Sequence, residues 1–272
     1  MKKLKVLSLF DGISGAAQAL KELGIECDYF ASEIDKFAIQ ISKKNHPEIV
    51  QIGDVNSVDF TQFRDIDLLV GGFPCQDLSI AKRGGDGLKG ARSGLFSKCL
   101  EALEICKPKY FLFENVASMK KEWSDKISDL LSVQPIMICS SKLTAQMRKR
   151  LYWTNIKNIR QPTDKGIVLK DILESGDTEK LKSYCITATY SRACPEDYFN
   201  HGQRQLIFKS SIQIELGIDE MKAVTRKLTE VEVERLQGFP DFYSEGISQT
   251  QRYKALGNSF TVPVIKHILK NL

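Results

Sequence analysis

One cysteine in this sequence is placed as a nucleophile would be. Cys75 follows the apolar run LLVGG and a proline, within the stretch LLVGGFPCQDLSI at 68–80. A cysteine attacks as its thiolate from a position that a substrate can reach, whereas a structural cysteine sits among apolar residues. Cys75 lies just past the apolar run, and Pro74 stiffens the backbone immediately before it. We therefore predict a catalytic nucleophile. The alternative is a small buried apolar residue.

Three charged residues further along are candidates for acid–base and binding roles. Glu114 lies near the end of the strand-like segment KYFLFENV, and Arg148 and Arg150 alternate within QMRKR. A carboxyl group at that position could protonate a ring nitrogen or hydrogen-bond to it. Residues two apart on an extended segment point to the same side, so one guanidinium could bind a base carbonyl while the other holds structure. The plainer alternatives are a helix-cap role for Glu114 and a solvated face for the arginines.

A candidate cofactor site comes from three successive turns. The segment FDGISG at 10–15 carries glycines that let the backbone approach a ligand, and a helix follows it. It lacks the G-x-G-x-x-G pattern of nicotinamide dinucleotide sites. Glu33 is placed to accept hydrogen bonds from ribose hydroxyls, and Asp54 could meet an adenine amino group. This arrangement suits a nucleoside without a pyrophosphate, such as S-adenosylmethionine. The alternative is that both acids are helix caps.

A glycine-rich basic segment follows the cysteine. The stretch AKRGGDGLKGARSG at 81–94 combines glycines with lysines and arginines. We expect it to close over a bound anion. The alternative is an ordinary surface loop.

The overall composition is that of a globular protein. The 272 residues are 42% hydrophobic and 27% charged, with a net charge of +5 that permits a polyanionic partner. The seven cysteines form no C-x-x-C pair and the three histidines are isolated, so we expect neither a disulfide framework nor a metal site. No apolar run is long enough to span a membrane, and Asp11 interrupts the N-terminal apolar segment too early for a signal peptide. We expect a cytoplasmic protein.

Strand-like and helix-like segments alternate through most of the chain. Examples are the strand-like LKVLSLF, CDYFASE and KYFLFENV, with the amphipathic segment SGLFSKCLEALEICKP between strands. Such alternation predicts an α/β fold with a mostly parallel, doubly wound sheet. The pattern weakens between about 158 and 225, where only short strand-like pieces such as YCITATY and RQLIF occur. That region is predicted to be a small inserted domain.

Together these segments resemble the DNA cytosine-5 methyltransferases. FDGISG is similar to the family's first cofactor motif, GGFPCQDLS to its Pro-Cys nucleophile motif, and FENV to its Glu-Asn-Val motif. AQMRKRLYWTNI resembles the Gln-x-Arg-x-Arg motif. RKLTEVEVERLQGFPDFY resembles the helix after the target-recognition segment, and RYKALGNSFTVPVIKHI the terminal Gly-Asn-Ser motif. The six matches occur in the family's order along the whole chain.

The resemblance implies a Rossmann-like S-adenosylmethionine-dependent methyltransferase fold and a covalent mechanism. Cys75 would attack carbon-6 of a cytosine that is flipped out of double-stranded DNA, with Glu114 assisting at ring nitrogen 3 and Arg150 holding the carbonyl oxygen. We count Arg148 with this catalytic group. The implied positions around S-adenosylmethionine, whose product is S-adenosylhomocysteine, are Phe10, Asp11, Gly12, Gly15, Glu33, Ile34, Asp54, Val55, Pro74, Leu95, Asn258 and Ser259.

The resemblance also divides the chain by function. The catalytic and cofactor-binding domain would be 1–157 plus 226–272, and the target-recognition domain 158–225. Candidate DNA contacts are Arg92, Arg192, Gln203 and Arg204. We expect a monomer without metal or membrane partner. The resemblance is to compact bacterial and phage members, which implies the cytoplasm of a bacterial or phage-infected cell. The recognised site, and whether a cognate restriction endonuclease is encoded nearby, stay open.

Three other functions are compatible with parts of this pattern. A transfer RNA cytosine-5 methyltransferase could share the same fold. A catalytically silent DNA-binding regulator is disfavoured by the joint presence of Cys75, Glu114 and Arg150. A nicotinamide-dependent oxidoreductase is disfavoured because the dinucleotide fingerprint is missing.

Overall fold

A seven-stranded sheet organises the described part of the chain, in the order β3-β2-β1-β4-β5-β7-β6. The computed structural model describes residues 3–74, 95–210 and 224–272. Strands β1 to β5 pair in parallel, and β7 runs antiparallel to β5. A separate two-stranded sheet joins β8 and β9. The strand bounds are β1 Leu4–Leu9, β2 Cys27–Ser32, β3 Val50–Gln51, β4 Leu68–Gly71, β5 Tyr110–Val116, β6 Ile136–Cys139, β7 Lys149–Thr154, β8 Leu206–Phe208 and β9 Thr225–Lys227.

Local signals in the sequence account for several helix ends. Helix α1 is followed by Gly24, whose φ of 69° is favourable only for glycine. The Asp35 side chain caps α2 by accepting from the N–H groups of Phe37 and Ala38. Thr229 and Glu232 form a reciprocal capping box at the start of α6. The helix bounds are α1 Gly15–Glu22, α2 Lys36–Asn45, α3 Phe96–Cys106, α4 Lys121–Leu131, α5 Pro195–Phe199, α6 Glu230–Gln237, α7 Gln249–Asn258 and α8 Val262–Leu269.

The chain divides into two compact units. The first comprises Met1–Ile138, Lys149–Gln161 and Ile265–Leu272, and the second comprises Cys139–Arg148 and Pro162–Val264. Apolar residues of β1, β4, β5 and α3 form the core of the first unit, with Phe73 and Phe96 in ring contact at 4.7 Å between centroids. In the second unit Tyr190 packs against Tyr253 of α7, with ring centroids 5.2 Å apart. Within the described ranges, no helix has the length and apolar character needed to cross a bilayer.

The predicted α/β class and mostly parallel sheet are confirmed. The strand expected for YCITATY at 184–190 is wrong, because none of these residues is in a strand. The preceding residue, Ser183, forms an isolated bridge with Gln146. The division into a catalytic domain of 1–157 plus 226–272 and a target-recognition domain of 158–225 stays a prediction. The compact units have other bounds because α7 packs on the short 3-10 helix Tyr190–Arg192.

Candidate active site

A mostly buried ion pair links the C-terminal part of β5 to the N-terminal part of β7. Arg150 Nε lies 2.6 Å from Glu114 Oε1, and both side chains are only about one-seventh exposed. Glu114 lies opposite Tyr152 and Val116 opposite Arg150 in the antiparallel ladder, so Glu114 and Arg150 are diagonal neighbours on one face. A carboxylate and a guanidinium at hydrogen-bond distance can bind the complementary edge of a polar ring. The structure thus brings together two of the predicted catalytic residues.

Arg148 has a different environment. Its guanidinium donates to the carbonyl oxygens of Ile186 at 2.9 Å, Gly257 at 3.2 Å and Ser259 at 2.9 Å. The residue is 3% exposed. These contacts correspond to the structural alternative that the sequence left open for one of the two arginines, because the side chain binds backbone within the second unit.

Asn115 connects β5 to the segment that leads to Pro74. Its side-chain amide donates to the Phe73 carbonyl at 3.1 Å, and its side-chain oxygen accepts from the Val116 N–H at 2.8 Å. Because Asn115 is 1% exposed, these bonds fix the backbone two residues before Cys75. Asn115 was not among the residues predicted for the site. The signal was its place between Glu114 and Val116 in the Glu-Asn-Val motif.

Two predicted site residues lie outside the described residues. These are the nucleophile candidate Cys75 and the DNA-contact candidate Arg92. The predicted closing segment 81–94 also lies there. Their predicted roles therefore stay predictions.

The turn between β1 and α1 adopts an unusual backbone conformation. Phe10, Gly12 and Ser14 have φ angles of 56°, 61° and 60°, and the left-handed region is unfavourable for the two residues that carry a Cβ. A Cβ built on Gly12 would meet no atom of the described chain within 4 Å. The space beside the turn can therefore admit a ligand close to the backbone. Gly15 begins α1 and is buried.

Glu33 is fixed beside this turn by backbone donors. Its Oε2 accepts from the Gly12 N–H at 2.8 Å, and its Oε1 accepts from the N–H groups of Ile34 at 2.7 Å and Asp35 at 2.8 Å. Glu33 does not cap α2, since Asp35 does so. A held carboxylate at the end of β2, next to an open glycine turn, fits the ribose hydroxyls of a nucleoside.

The other predicted cofactor positions of the first unit differ in their exposure. Ile34 is 72% exposed, an unusual state for a large apolar side chain, whereas Val55 is buried. Asp54 caps the 3-10 helix Val55–Ser57 by accepting from the Asn56 N–H at 2.9 Å, so the cap alternative describes its contacts. Pro74 and Leu95 are half-buried, and they are the described residues directly before and after the segment 75–94.

The Asp11 side chain is buried and hydrogen-bonded within the protein, unlike a side chain that is open to a cofactor. It is 5% exposed, and its carboxylate accepts from the Tyr29 hydroxyl at 2.7 Å and the Ser14 hydroxyl at 2.5 Å. Burial raises the pKa of Asp11, and the nearby charge of Glu33 acts in the same direction. Hydrogen bonds from Ser14, Ser8 and Tyr29 oppose the rise in pKa.

The remaining candidates belong to the second unit. Asn258 ends α7 and is exposed, whereas Ser259 is buried and its hydroxyl donates to the Leu256 carbonyl at 2.8 Å. Arg192 and Gln203 are exposed, as a nucleic-acid contact requires. Arg204 is half-buried and paired with Asp197 at 2.5 Å, so its charge is partly neutralised locally.

The family described as C-5 cytosine-specific DNA methylase matches residues 4–183 and 144–272. The type II methyltransferase M.NlaX of Neisseria lactamica is 30% identical over 303 residues, covering 98% of this chain and 96% of the relative. The type II methyltransferase M.HaeII of Haemophilus aegyptius is 30% identical over 297 residues, covering 98% and 92%. The solved structure of the methyltransferase EhMeth of Entamoeba histolytica has a TM-score of 0.79 at 20% identity, covering 100% of this chain and 98% of that chain.

The fold and the site therefore define a methyltransferase of the Rossmann-like class. The chain belongs to the C-5 cytosine-specific DNA methylase family, and its enzyme class is DNA (cytosine-5-)-methyltransferase. The family implies that S-adenosylmethionine is the methyl donor and that DNA is the substrate.

Proposed function

We propose that this enzyme methylates carbon-5 of a flipped-out cytosine in double-stranded DNA, within a specific short sequence, through a covalent adduct between Cys75 and carbon-6. The observation that carries the proposal is the Glu114–Arg150 pair at 2.6 Å. In the same strand, Asn115 binds the backbone that leads to Cys75. The proposed ring-binding pair and the hydrogen bond to the backbone before the proposed nucleophile both involve the end of β5, which supports the proposal.

The proposed chemistry assigns one task to each residue. The Cys75 thiolate adds to carbon-6, and the electron pair of the 5,6 double bond moves toward carbon-5. Glu114 binds at ring nitrogen 3 and Arg150 at the carbonyl oxygen, which stabilises the charge that develops on the ring. S-adenosylmethionine supplies the methyl group when bound. A water molecule then takes the carbon-5 proton, the electrons of that C–H bond re-form the 5,6 double bond, and the Cys75 thiolate leaves carbon-6, which restores aromaticity.

The cofactor would lie against the turn at 10–15. Glu33 would accept hydrogen bonds from the ribose hydroxyls, and the exposed Ile34 side chain would cover one face of the adenine. Burial of an apolar side chain that is 72% exposed in the free chain favours such a contact. Asp54, Val55, Pro74, Leu95, Asn258 and Ser259 remain proposed neighbours of the cofactor.

Bisulfite sequencing of plasmid DNA from cells that express the enzyme tests the activity and its sequence context together. We expect protected cytosines in one short repeated context with the wild type and none with Cys75→Ala. Cys27→Ala is the matched control, because it removes a half-buried thiol of the first unit that has no proposed role. Protection by the Cys75→Ala variant would contradict the thiol mechanism.

A second measurement isolates the covalent step. In a duplex with fluorine in place of hydrogen on carbon-5 of the target cytosine, there is no carbon-5 proton to remove, so the thiolate cannot be expelled. The covalent adduct therefore persists and shifts the protein on a denaturing gel. Glu114→Gln is expected to slow adduct formation by about 10²-fold or more with little change in DNA affinity. Methyl transfer to RNA but not to DNA oligonucleotides would replace the proposal with its RNA alternative.

A further inference from the structure

A cluster of buried polar side chains lies beneath the β1–α1 turn. Asp11 accepts from the hydroxyls of Tyr29 and Ser14, and the hydroxyl oxygens of Ser14 and Ser42 are 2.6 Å apart. We call Asp11, Ser14, Tyr29 and Ser42 the Asp11 cluster. All four residues are buried, and none of them belongs to the reaction steps above.

The cluster holds a backbone that would otherwise relax. Phe10 and Ser14 have φ angles of 56° and 60°, which persist in residues with a Cβ only where neighbouring contacts enforce them. Asp11 supplies four such contacts in the middle of the turn. Its N–H donates to the Ser32 carbonyl at 3.1 Å, its carbonyl accepts from the Ser14 N–H at 3.2 Å, and its carboxylate accepts the two hydroxyl hydrogen bonds.

The β1–α1 turn also positions Glu33. The Gly12 N–H, directly after Asp11, donates to Glu33 Oε2 at 2.8 Å. The other oxygen, Oε1, is fixed by the N–H groups of Ile34 and Asp35 in its own loop. The rotation of the Glu33 carboxylate therefore depends on where the turn places the Gly12 N–H.

A buried carboxylate is costly unless its hydrogen bonds are satisfied. A chain that needed only a tight turn at this point would gain nothing from a buried acid beside Glu33. The arrangement is accounted for if the hydrogen bonds that the Asp11 side chain accepts from two hydroxyls set the turn more rigidly than an apolar side chain would.

We propose that Asp11 is a positioning residue for the cofactor site, which acts through Gly12 to orient the Glu33 carboxylate toward the ribose hydroxyls, with Tyr29 and Ser14 as its supports. The inference rests on the proposed binding of S-adenosylmethionine. It replaces the expectation of a direct cofactor contact for the Asp11 side chain with an indirect role.

Calorimetric titration with S-adenosylmethionine tests this role. We expect Asp11→Ala to raise Kd by roughly tenfold or more, the scale of one hydrogen bond to a charged group. Asp11→Asn, which keeps the size and one acceptor, is expected to restore most of the affinity. Turnover at saturating cofactor should fall far less than affinity. Asp28→Asn is the matched control, because Asp28 is an acid of β2 whose side chain is 49% exposed.

A double-mutant cycle distinguishes positioning from general stability. If Asp11 acts through Glu33, Asp11→Ala should add little to the loss of affinity already caused by Glu33→Gln. Additive losses would overturn the inference, and so would an unchanged Kd in Asp11→Ala. If Asp11→Ala does not fold, Tyr29→Phe carries the same cycle, since it removes one donor to Asp11. In that case an unchanged Kd for Tyr29→Phe overturns the inference.

The proposed function fails in a different way. Absence of S-adenosylmethionine binding by the folded wild type would contradict the proposed cofactor, on which this inference depends. Binding by the wild type together with unaltered binding by the Asp11 variants would contradict the positioning role alone.

Discussion

Arg148 and Arg150 are separated by one residue, yet their guanidinium groups have different partners. Arg150 pairs with a carboxylate, Glu114, whereas Arg148 donates to three backbone carbonyls. A charged pair that is only partly buried can exchange partners for a substrate ring. A guanidinium committed to buried carbonyls cannot do so without leaving acceptors unsatisfied. At the scale of single residues, chemistry is therefore assigned by the partner and not by the residue type.

The buried acid Asp11 predicts a pH dependence of stability. Burial raises the pKa of Asp11 above its ordinary value of 3.8, so the folded protein binds this proton more tightly than the unfolded chain. The stabilisation is complete below the ordinary pKa and is lost as the pH rises through the folded pKa. Asn mimics the neutral form. We expect the Tm of Asp11→Asn to gain on that of the wild type as the pH rises from about 4 toward 8.

Two titratable groups near Asp11 must be controlled in that experiment. Tyr29 donates to Asp11, and burial raises the pKa of its hydroxyl so far that it stays neutral in this range. Glu33 is a second carboxylate, and its charge acts on Asp11, so the comparison is repeated in a Glu33→Gln background. A Tm difference that is flat across the pH range in both backgrounds would contradict the prediction.

At the scale of elements, the sequence predicted most strands of the large sheet and the helices that connect them. Buried runs such as LLVG of β4 and the amphipathic α3 carry their own hydrophobic pattern. YCITATY was misleading because it has strand-forming residues without a strand partner. Its Ile186 N–H donates to the Gln146 side chain at 2.7 Å, and its Ile186 carbonyl accepts from Arg148. Side chains distant in sequence satisfy this backbone, and no local pattern predicts such contacts.

Replacing Arg148 tests how much these side-chain hydrogen bonds to the backbone stabilise the protein. Arg148→Lys keeps the charge but loses the planar fork, so it cannot reach the carbonyls of Ile186, Gly257 and Ser259 together. Each buried carbonyl left unsatisfied costs about 1–3 kcal/mol. We expect a lower free energy of unfolding and faster hydrogen exchange in 183–189 and 256–261. Lys149→Ala, at the exposed neighbouring position, is the control. Exchange that is equal in both variants would show that the fork is dispensable.

At the scale of the whole molecule, the sequence predicted that its motifs share one site, but it did not predict the contacts between their residues. The order of the motifs implied that Glu114 and Arg150 share a function, while their pairing at 2.6 Å depends on the antiparallel insertion of β7 beside β5. The DNA-contact candidates were the least determined. Arg192, Gln203 and Arg204 lie where hydrophobic periodicity is weak, and their different exposure and pairing are visible only in the folded chain.

The exposed Arg192 and the paired Arg204 are expected to contribute differently to DNA binding. With a net charge of +5, the enzyme is expected to bind DNA with an affinity that falls as salt rises. Arg192 is exposed, whereas Arg204 is bound to Asp197. If Arg192 contacts a phosphate, Arg192→Ala should reduce the slope of log K against log salt by about 0.9 and weaken binding to all duplexes alike. Arg204→Ala should leave the slope nearer to that of the wild type. Fluorescence anisotropy across a salt series measures both slopes, and the reverse order of effects would exchange the two assignments.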